Sequence, residues 1–334
     1  MKKINSRTYL YIAAAGLLLM VGLTAYYLMA EVSKSDEVEY VYIDSDDSLD
    51  SVMLKVQRFS HTAGMTGLST LLRHSDYGRH VRTGRYAIEP GERAFSVFRK
   101  LKNGQQASLH LTIPEARTME RLAALLDRKL MLDSATIAQA LLNPDTCSRY
   151  GFDTCTIAAL FVPDTYDVYW NMSLSTLLRR MQREHDRFWQ GERTEKAARI
   201  GLTPVEVATL ASIIDEETAN NAEKPMIAGM YLNRLRTGMP LQADPTIKFA
   251  LRQFELRRIY QKLLLTDSPY NTYLNPNLPP TPICSPSLQS IQAALEPADT
   301  DYFFFFINEN VHQFSETSEE HQQAINESLS SGSE

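Results

Sequence analysis

The sequence predicts an α+β protein that follows a single N-terminal transmembrane helix. An uncharged apolar run at residues 9–29 predicts the transmembrane helix. Strand-like segments alternate with amphipathic helical segments at 41–130, and helix signals are mixed with β-rich segments at 201–328, which together predict an α+β fold. Hydrophobic residues make up 44% and charged residues 22% of the 334 residues, a globular composition in a chain long enough for about two domains.

The apolar run at 9–29 has tyrosines at both ends, where an aromatic belt lies in a membrane protein. Lys2, Lys3 and Arg7 precede the run, and four acidic residues follow it before residue 40. The positive-inside rule therefore predicts a cytoplasmic tail at 1–8 and an outward-facing chain after the helix, beginning with a polar linker at 30–40. A cleaved signal peptide is the alternative, but the run exceeds the usual apolar region and lacks a small-residue cleavage site.

Net charge and cysteine spacing argue against two kinds of ligand. The chain carries a formal charge of −6, and the outward-facing part is more acidic still, so nucleic acid is not an expected partner. Cys147, Cys155 and Cys284 match no zinc-binding spacing, and neither a metal nor a cofactor is expected. Cys147 and Cys155 could close a short disulfide loop in an oxidising compartment, and the sequence leaves that pairing open.

Three segments each join a short β-rich stretch to an amphipathic helical stretch, at 41–56, 85–101 and 111–126. In each second half the apolar positions return every three or four residues, so the helix would bury one face against its strand. The pattern predicts one or two small α+β modules over 41–130, of a kind used for binding. Unrelated βα units are the alternative.

The connecting region at 131–200 is predicted to be mainly helical. A short helix is expected at 133–142 and a long, highly charged helix at 174–199, interrupted near Gly191. The aromatic stretch at 160–170, which contains a Pro-Asp pair, predicts an extended or turn segment between these two helices.

A clear helix start lies at Thr203. Thr203 as N-cap, Pro204 at the first helical position and Glu206 three residues after the cap satisfy backbone N–H groups that would otherwise be unpaired. The helix is predicted to continue to about Thr218. Its apolar stripe consists of Val207, Leu210, Ile213 and Ile214.

Glu217 falls near the centre of that stripe. A carboxyl there loses hydration, which raises its pKa towards the range that a general acid needs at neutral pH. Alternatively, Glu217 lies just beyond the buried part of the helix and is solvated. Asp215 and Glu216 are expected to point away on either side as flanking charges.

Polar residues that could face Glu217 follow in three places. They are Asn233 in a second helix that begins at Pro225 and is capped by Gly238, then Gln242, Asp244 and Thr246 in a loop or short strand at 238–246, and Tyr270, Asn271 and Tyr273 in the proline-rich stretch at 267–286. The last two groups each have a plain alternative, because Asp-Pro favours turns and a proline-rich stretch can be a linker. Residues 288–295 predict a helix, 301–307 a buried strand, 312–314 the next strand, and 329–334 a flexible tail.

An ordered series of motifs in the second half resembles a known family, the endolytic murein transglycosylases of the YceG-like or MltG type. The motifs are ASIIDEET (211–218), NRL (233–235), GMPLQADPT (238–246), SPYNTY (268–273), LPPTPI (278–283), YFFFFI (302–307), HQF (312–314) and EH (320–321). Two further segments, TIPEARTMERLA (112–123) and FVPDTYDVY (161–169), extend the resemblance into the first half. Asp215-Glu216 and Lys224 depart from the residues common in the family at those positions.

The resemblance implies a catalytic domain at 201–328 that cleaves the β-1,4 bond after N-acetylmuramic acid and leaves a 1,6-anhydro end. Glu217 matches the catalytic acid of the family. The polar residues at 233, 242, 244, 246, 270, 271 and 273 are then expected to bind the glycan strand. The resemblance also implies a LysM-like module within 41–130 and attachment to the inner (cytoplasmic) membrane, with the catalytic domain on the periplasmic or extracytoplasmic side.

Under this interpretation the partners are peptidoglycan glycan strands, the membrane, and cell-wall synthases whose nascent strands the enzyme would terminate. Two other functions stay open. A non-catalytic peptidoglycan-binding scaffold would keep the fold without the chemistry. A glycoside hydrolase would use Glu217 together with Asp244 as a carboxylate pair.

Overall fold

A computed structural model describes residues 6–113, 118–308 and 311–331 of the 334-residue chain. Parts of the predicted tails, at 1–5 and 332–334, and positions 114–117 of the family-like TIPEAR segment lie outside the described residues. The mixed α+β architecture with one N-terminal apolar helix is confirmed.

The helices are α1 (Ser6–Met29), α2 (Leu49–Gln57), α3 (Thr62–Arg73), α4 (Ala94–Asn103), α5 (Met119–Lys129), α6 (Ser134–Leu141), α7 (Pro144–Ser148), α8 (Leu174–Phe188), α9 (Glu192–Arg199), α10 (Pro204–Glu217), α11 (Lys224–Thr237), α12 (Asp244–Ala250), α13 (Leu288–Leu295) and α14 (Ser318–Ser331). The strands are β1 (Glu39–Ile43), β2 (Gly84–Ile88), β3 (Leu109–Thr112), β4 (Thr165–Val168), β5 (Phe304–Asn308) and β6 (Val311–Ser315). The chain folds as two compact units. The first contains the residues up to Leu111, with Lys129–Met131 and Asp167–Met172, and the second contains the other described residues.

Helix α1 is apolar over Leu10–Met29, with a mean hydropathy of 1.9, and is the one unbent helix in the described part of the chain that is long and apolar enough to cross a membrane. The residues after it belong to the first unit. Ala94 N–H donates to Ala30 O at 3.0 Å, and the Val32 side chain is fully buried. The first part of the predicted linker at 30–40 is therefore folded, because Val32 packs in the hydrophobic core of the first unit.

In the first unit, β1 and β2 pair antiparallel, with Glu39 opposite Ile88 and Ile43 opposite Gly84. Helices α2 and α3 lie between these strands in the chain and α4 follows them, so the order is βααβα. The strands and helices share one core, which includes Val41, Ile43, Val52, Val56, Leu68, Leu72, Tyr86, Ile88, Val97 and Leu101. The predicted strand–helix segments are present, but α3 is inserted after the first, and β3 pairs with β4. A LysM-like identity stays a prediction.

In the second unit, the capping box predicted at the start of α10 is present. Thr203 N–H donates to Glu206 Oε2 at 2.7 Å, and Glu206 N–H donates to Thr203 Oγ1 at 3.3 Å. The predicted apolar stripe of α10 is fully buried and packs on α11 and α13, in a core that includes Val207, Leu210, Ile213, Ile214, Ile227, Met230, Tyr231, Ile291 and Leu295. Helix α11 ends as predicted at Gly238, whose φ of 71° lies in the left-handed region that glycine adopts easily.

Strands β5 and β6 form an antiparallel hairpin in which Phe305 faces Phe314 and Ile307 faces His312. The aromatic strand is only half-buried, and the prediction of a buried strand is wrong in this respect. Phe305 packs against Tyr231 of the core, whereas Phe304 and Phe306 on the other face contact His321 of α14, and a single short helix covers that face only in part.

Two local predictions also need correction or completion. Asp244 does not lie in a loop or strand but begins helix α12 with Pro245 in the first turn, because proline suits the first turn of a helix as well as a β-turn. Cys147 and Cys155, whose pairing the sequence left open, carry free thiols. Cys147 is buried and its Sγ donates to Leu141 O at 3.2 Å.

Candidate active site

Glu217 is the last residue of α10, and its carboxyl is held by a tyrosine on α11. Tyr231 is fully buried, and its hydroxyl donates to Glu217 Oε1 at 2.9 Å. Glu217 itself is half-buried. Its Oε2 atom accepts no hydrogen bond from any residue that the structure describes. The carboxyl therefore has one oxygen fixed by the protein and one oxygen available to a substrate.

The surroundings of Glu217 favour its protonated form. Burial raises the pKa of the carboxyl from 4.5 to about 7; the Tyr231 hydroxyl opposes this shift, and the negative charge of Asp244 adds to it. More distant positive charges on Lys248 and Arg234 oppose it as well. A carboxyl with this pKa can give up a proton near neutral pH and take one back in the next step.

Asp244 and Tyr273 lie within electrostatic range of Glu217 and complete what we call the carboxylate cluster, consisting of Glu217, Tyr231, Asp244 and Tyr273. The Tyr273 hydroxyl donates to Asp244 Oδ1 at 2.6 Å. Burial raises the pKa of Tyr273 well above its usual range. The hydrogen bond to Asp244 is the next largest cause, and the charge of Glu217 acts in the same direction. The cluster thus joins the end of α10, the middle of α11, the start of α12 and the proline-rich segment.

Gln242 lies in the loop that leads to Asp244 and has an exposed side chain. Its φ is 53°, an uncommon conformation for a residue other than glycine. Its N–H donates to Thr272 O at 3.0 Å, which ties this loop to the segment that carries Tyr273. A strained backbone beside a candidate catalytic group is a frequent property of functional sites.

Arg234 on α11 connects the loop before Asp244 to the start of the β5–β6 hairpin. Its Nε donates to Phe303 O at 2.6 Å, and its Nη1 donates to Leu241 O at 2.5 Å. The side chain is buried, which lowers its pKa, while the charges of nearby hydroxyl and carboxyl groups act in the opposite direction. Arg234 therefore ties the backbone just before β5 to the loop that leads to Gln242.

Three of the other predicted substrate-binding residues hold the backbone around the cluster. Thr246 Oγ1 donates to Ala243 O at 2.7 Å and lies 2.9 Å from Thr272 Oγ1. Asn271 Nδ2 donates to Leu264 O at 2.9 Å and to Thr266 O at 2.8 Å. Asn233 Nδ2 donates to Thr300 O at 2.6 Å and to Tyr302 O at 3.1 Å. Thr246 and Asn271 are fully buried, so these three side chains shape the site through its loops.

Tyr270 lies on another surface of the second unit. Its hydroxyl is 2.8 Å from Thr281 Oγ1, and its ring centroid is 4.8 Å from that of Phe249. The ring lines a cavity of about 420 Å³ that also contains Phe254 and Cys284. The structure thus brings Asp244 and Tyr273 to Glu217, with Gln242 in the adjoining loop. The substrate-binding role of each residue stays a prediction.

The expectation that Asp215 is only a flanking charge is wrong. Its carboxylate is almost fully buried and pairs with Lys224 Nζ at 2.7 Å. It also accepts a hydrogen bond from Ser287 Oγ at 2.8 Å and a shorter one from Ser290 Oγ. The two serines are brought from the start of α13, about 70 residues further along the chain, a contact that helical periodicity alone does not reveal.

Tyr231 is a functional candidate that the sequence patterns do not reveal, because a position among the apolar residues of its helix favours a purely structural role. The signal that identifies it is chemical: a buried tyrosine hydroxyl needs a hydrogen-bond partner, and the tyrosine lies on the helix that packs against the acid.

A half-buried carboxyl with a pKa near neutrality, hydrogen-bonded to one tyrosine and influenced by the charge of a second carboxylate, defines an acid–base type of active site. Comparison with known proteins gives the family. The model of the YceG-like family matches residues 41–327, and the chain belongs to this family. The resemblance seen in the sequence motifs is thereby confirmed.

Several relatives are named endolytic murein transglycosylase. The protein from Bacillus subtilis is 30% identical over 271 residues, covering 76% of this chain and 74% of its own length. The protein from Streptococcus pneumoniae serotype 2 is 27% identical over 207 residues, but the match covers only 36% of its length. The solved structure of a yceG-like protein from Listeria monocytogenes has a TM-score of 0.59 and 26% identity, covering 86% of this chain and 99% of that one.

Proposed function

We propose that this protein is a membrane-anchored lytic transglycosylase that cleaves peptidoglycan glycan strands internally, between N-acetylmuramic acid and N-acetylglucosamine. Membership of the YceG-like family and relatives named endolytic murein transglycosylase support this function. The observation that carries the mechanism is the Glu217 carboxyl, which has a pKa of about 7 and one oxygen held by Tyr231.

In the first step Glu217 acts as an acid. Because the Tyr231 hydroxyl donates to Oε1, the proton of the neutral carboxyl lies on Oε2, the oxygen available to a substrate. Oε2 protonates the glycosidic oxygen as the bond from that oxygen to the anomeric carbon of N-acetylmuramic acid breaks. The N-acetylglucosamine part leaves with a free 4-hydroxyl.

In the second step the same carboxylate acts as a base. It removes the proton from the 6-hydroxyl of the N-acetylmuramic acid, whose oxygen then bonds to the anomeric carbon and closes a 1,6-anhydro ring. Glu217 regains the proton it gave, so no water is consumed. One carboxyl is sufficient for this cycle, whereas ordinary glycoside hydrolysis uses two.

Asp244 is proposed to act by its charge rather than by proton transfer. The anomeric carbon becomes positive in the transition state, and a carboxylate fixed by Tyr273 at 2.6 Å beside it would stabilise that charge. Gln242 and Tyr273 are proposed to contact the sugar directly. Asn233, Thr246 and Asn271 are proposed to place the binding loops, and Tyr270 to bind a more distant part of the strand.

The proposed location is the cytoplasmic membrane of a bacterium, with α1 as a single anchor, the N-terminus in the cytoplasm and the two units outside. The apolar span Leu10–Met29 and the cations that precede it in the sequence support this orientation. An anchored enzyme outside that membrane would meet glycan strands where they are made. We therefore propose that it terminates nascent strands beside the cell-wall synthases.

Digestion of purified peptidoglycan by the full-length protein in detergent micelles tests this function, with the products identified by mass spectrometry. Anhydro-ended fragments support transglycosylation. Reducing ends would instead indicate hydrolysis by Glu217 and Asp244, and peptidoglycan binding without products would indicate a scaffold. Glu217→Gln is expected to abolish the fragments, and Glu216→Gln, which changes the neighbouring carboxyl in the same way, is the matched control.

A further inference from the structure

The β5–β6 hairpin contacts the segment that immediately follows Glu217. His312 Nδ1 lies 2.6 Å from Glu223 Oε2, and both side chains are largely buried, with exposed fractions of 4% and 12%. Thr218 Oγ1 donates to the same Glu223 oxygen at 3.0 Å. Since Thr218 is bonded to Glu217, a side chain on the hairpin is linked to the candidate acid through two polar contacts and one residue of backbone.

The Thr218 backbone shows why such a link is needed. Helix α10 ends at Glu217, and Thr218 has extended backbone angles, φ −146° and ψ 138°. The last helical hydrogen bond on this side runs from Thr218 N–H to Ile214 O at 3.2 Å. Beyond it, the Thr218 hydroxyl both donates to Glu223 and accepts the N–H of Asn220 at 3.0 Å. The contact with Glu223 is therefore one of the restraints on the direction in which the chain leaves Glu217, and the one that connects this segment to the hairpin.

A second contact path runs from the same hairpin to the other side of the acid. The Phe305 ring packs edge-on against His312, with centroids 4.9 Å apart, and against Tyr231, with centroids 6.2 Å apart. Tyr231 in turn donates to Glu217 Oε1. The backbone after Glu217 and the oxygen of its side chain are thus both supported by residues of one hairpin.

We propose that His312 is a positioning residue for Glu217, acting through Glu223 and Thr218. This inference rests on the proposed function, in which one carboxyl must first reach the glycosidic oxygen and then the 6-hydroxyl of the same sugar. Such a double role tolerates little movement, because displacements of about 1 Å lower rates by about a hundredfold. The HQF motif, which the catalytic mechanism leaves without a role, then serves to fix the acid.

Steady-state kinetics of the full-length protein in micelles test the proposal. His312→Leu removes the contact with Glu223, and we expect kcat to fall about 10- to 100-fold with KM changed less than about twofold. His312→Asn places an amide N–H near the position of Nδ1 and is expected to recover most of kcat. Gln313→Ala, an exposed neighbour on the same strand, is the matched control and is expected to behave as the wild type.

Thr218→Val provides a milder test that does not depend on the folding of His312→Leu. It deletes the hydroxyl that contacts Glu223 and is expected to lower kcat in the same way. The proposal is overturned if His312→Leu or Thr218→Val keeps the wild-type kcat. It is equally overturned if His312→Asn loses as much kcat as His312→Leu, or if the loss lies in KM.

A readout without catalysis separates this proposal from the proposed function. The Glu217 carboxyl can be titrated by carbon-13 NMR, with Glu217→Gln identifying its signal. It is surrounded by Tyr231, Asp244, Arg234 and Lys248, and its pKa is about 7. In His312→Leu a less restrained carboxyl would be more hydrated, and its pKa is expected to fall from about 7 towards the unperturbed value of 4.5. An inactive wild type would refute the proposed function, whereas an unchanged titration in this variant would refute the positioning role alone.

Discussion

Glu217 is expected to destabilise the folded protein at neutral and alkaline pH, so Glu217→Gln should stabilise the fold while abolishing activity. The pKa of this carboxyl rises from 4.5 to about 7 on folding, chiefly through burial. Between these values the folded state keeps a proton that the unfolded chain has lost, so stability falls as pH rises through the window. One pKa unit corresponds to about 1.4 kcal/mol, so the loss in the free energy of unfolding is absent below the unfolded-state pKa and reaches about 3 kcal/mol above the folded-state pKa.

Urea unfolding of the full-length protein in micelles at about pH 5 and about pH 8 measures this effect. We expect the stability advantage of Glu217→Gln over the wild type to be about 2 kcal/mol larger at the higher pH. Glu216→Gln, the neighbouring control, is expected to show no comparable widening. Equal advantages of Glu217→Gln at both pH values would mean that Glu217 has an ordinary pKa, and would refute the argument from desolvation.

Three further changes test other contacts. Tyr231→Phe removes the hydroxyl that donates to Glu217 Oε1. A hydrogen bond to a charged group is worth about 1.5–3 kcal/mol, so kcat should fall about 10- to 100-fold. The pKa of Glu217 should also rise, and a pH profile of kcat whose upper limb does not move would contradict this role. Lys224→Met leaves the Asp215 carboxylate buried without its ion pair and should destabilise the fold by about 3–5 kcal/mol in urea unfolding, whereas the exposed Lys262→Met should change little. Thr246→Val deletes hydrogen bonds to Ala243 and Thr272 at a cost of about 1–3 kcal/mol, and wild-type stability of this variant would show that the loop does not depend on them.

The parts of the fold that sequence predicts well are those with local causes. The capping box at Thr203, the apolar stripe that ends near Glu217 and the glycine cap at 238 each depend on residues within a few positions of one another, and all are present. The break near Gly191 is present for the same reason, since its φ of 67° separates α8 from α9. Periodicity and capping are sufficient for such elements.

The parts that sequence does not predict depend on contacts between distant segments. Asp215 is buried because α13 brings Ser287 and Ser290 to it, and no pattern around residue 215 contains that information. Asn271 and Asn233 carry side chains that suit sugar binding, yet their amide groups hold backbone carbonyls of their own unit. The residue type indicates which hydrogen bonds a side chain can make, while the tertiary structure decides which partner it finds.

Digestion of glycan strands in oxygen-18 water distinguishes internal attack from hydrolysis at a single atom. In the proposed mechanism the 6-hydroxyl of the substrate supplies the oxygen that closes the new end, and Glu217 only carries a proton between two sugar oxygens. The account predicts fragments that end in the 1,6-anhydro form and contain no oxygen-18 at the new end. Oxygen-18 at the anomeric carbon of a reducing end would contradict it, because water would then be the nucleophile.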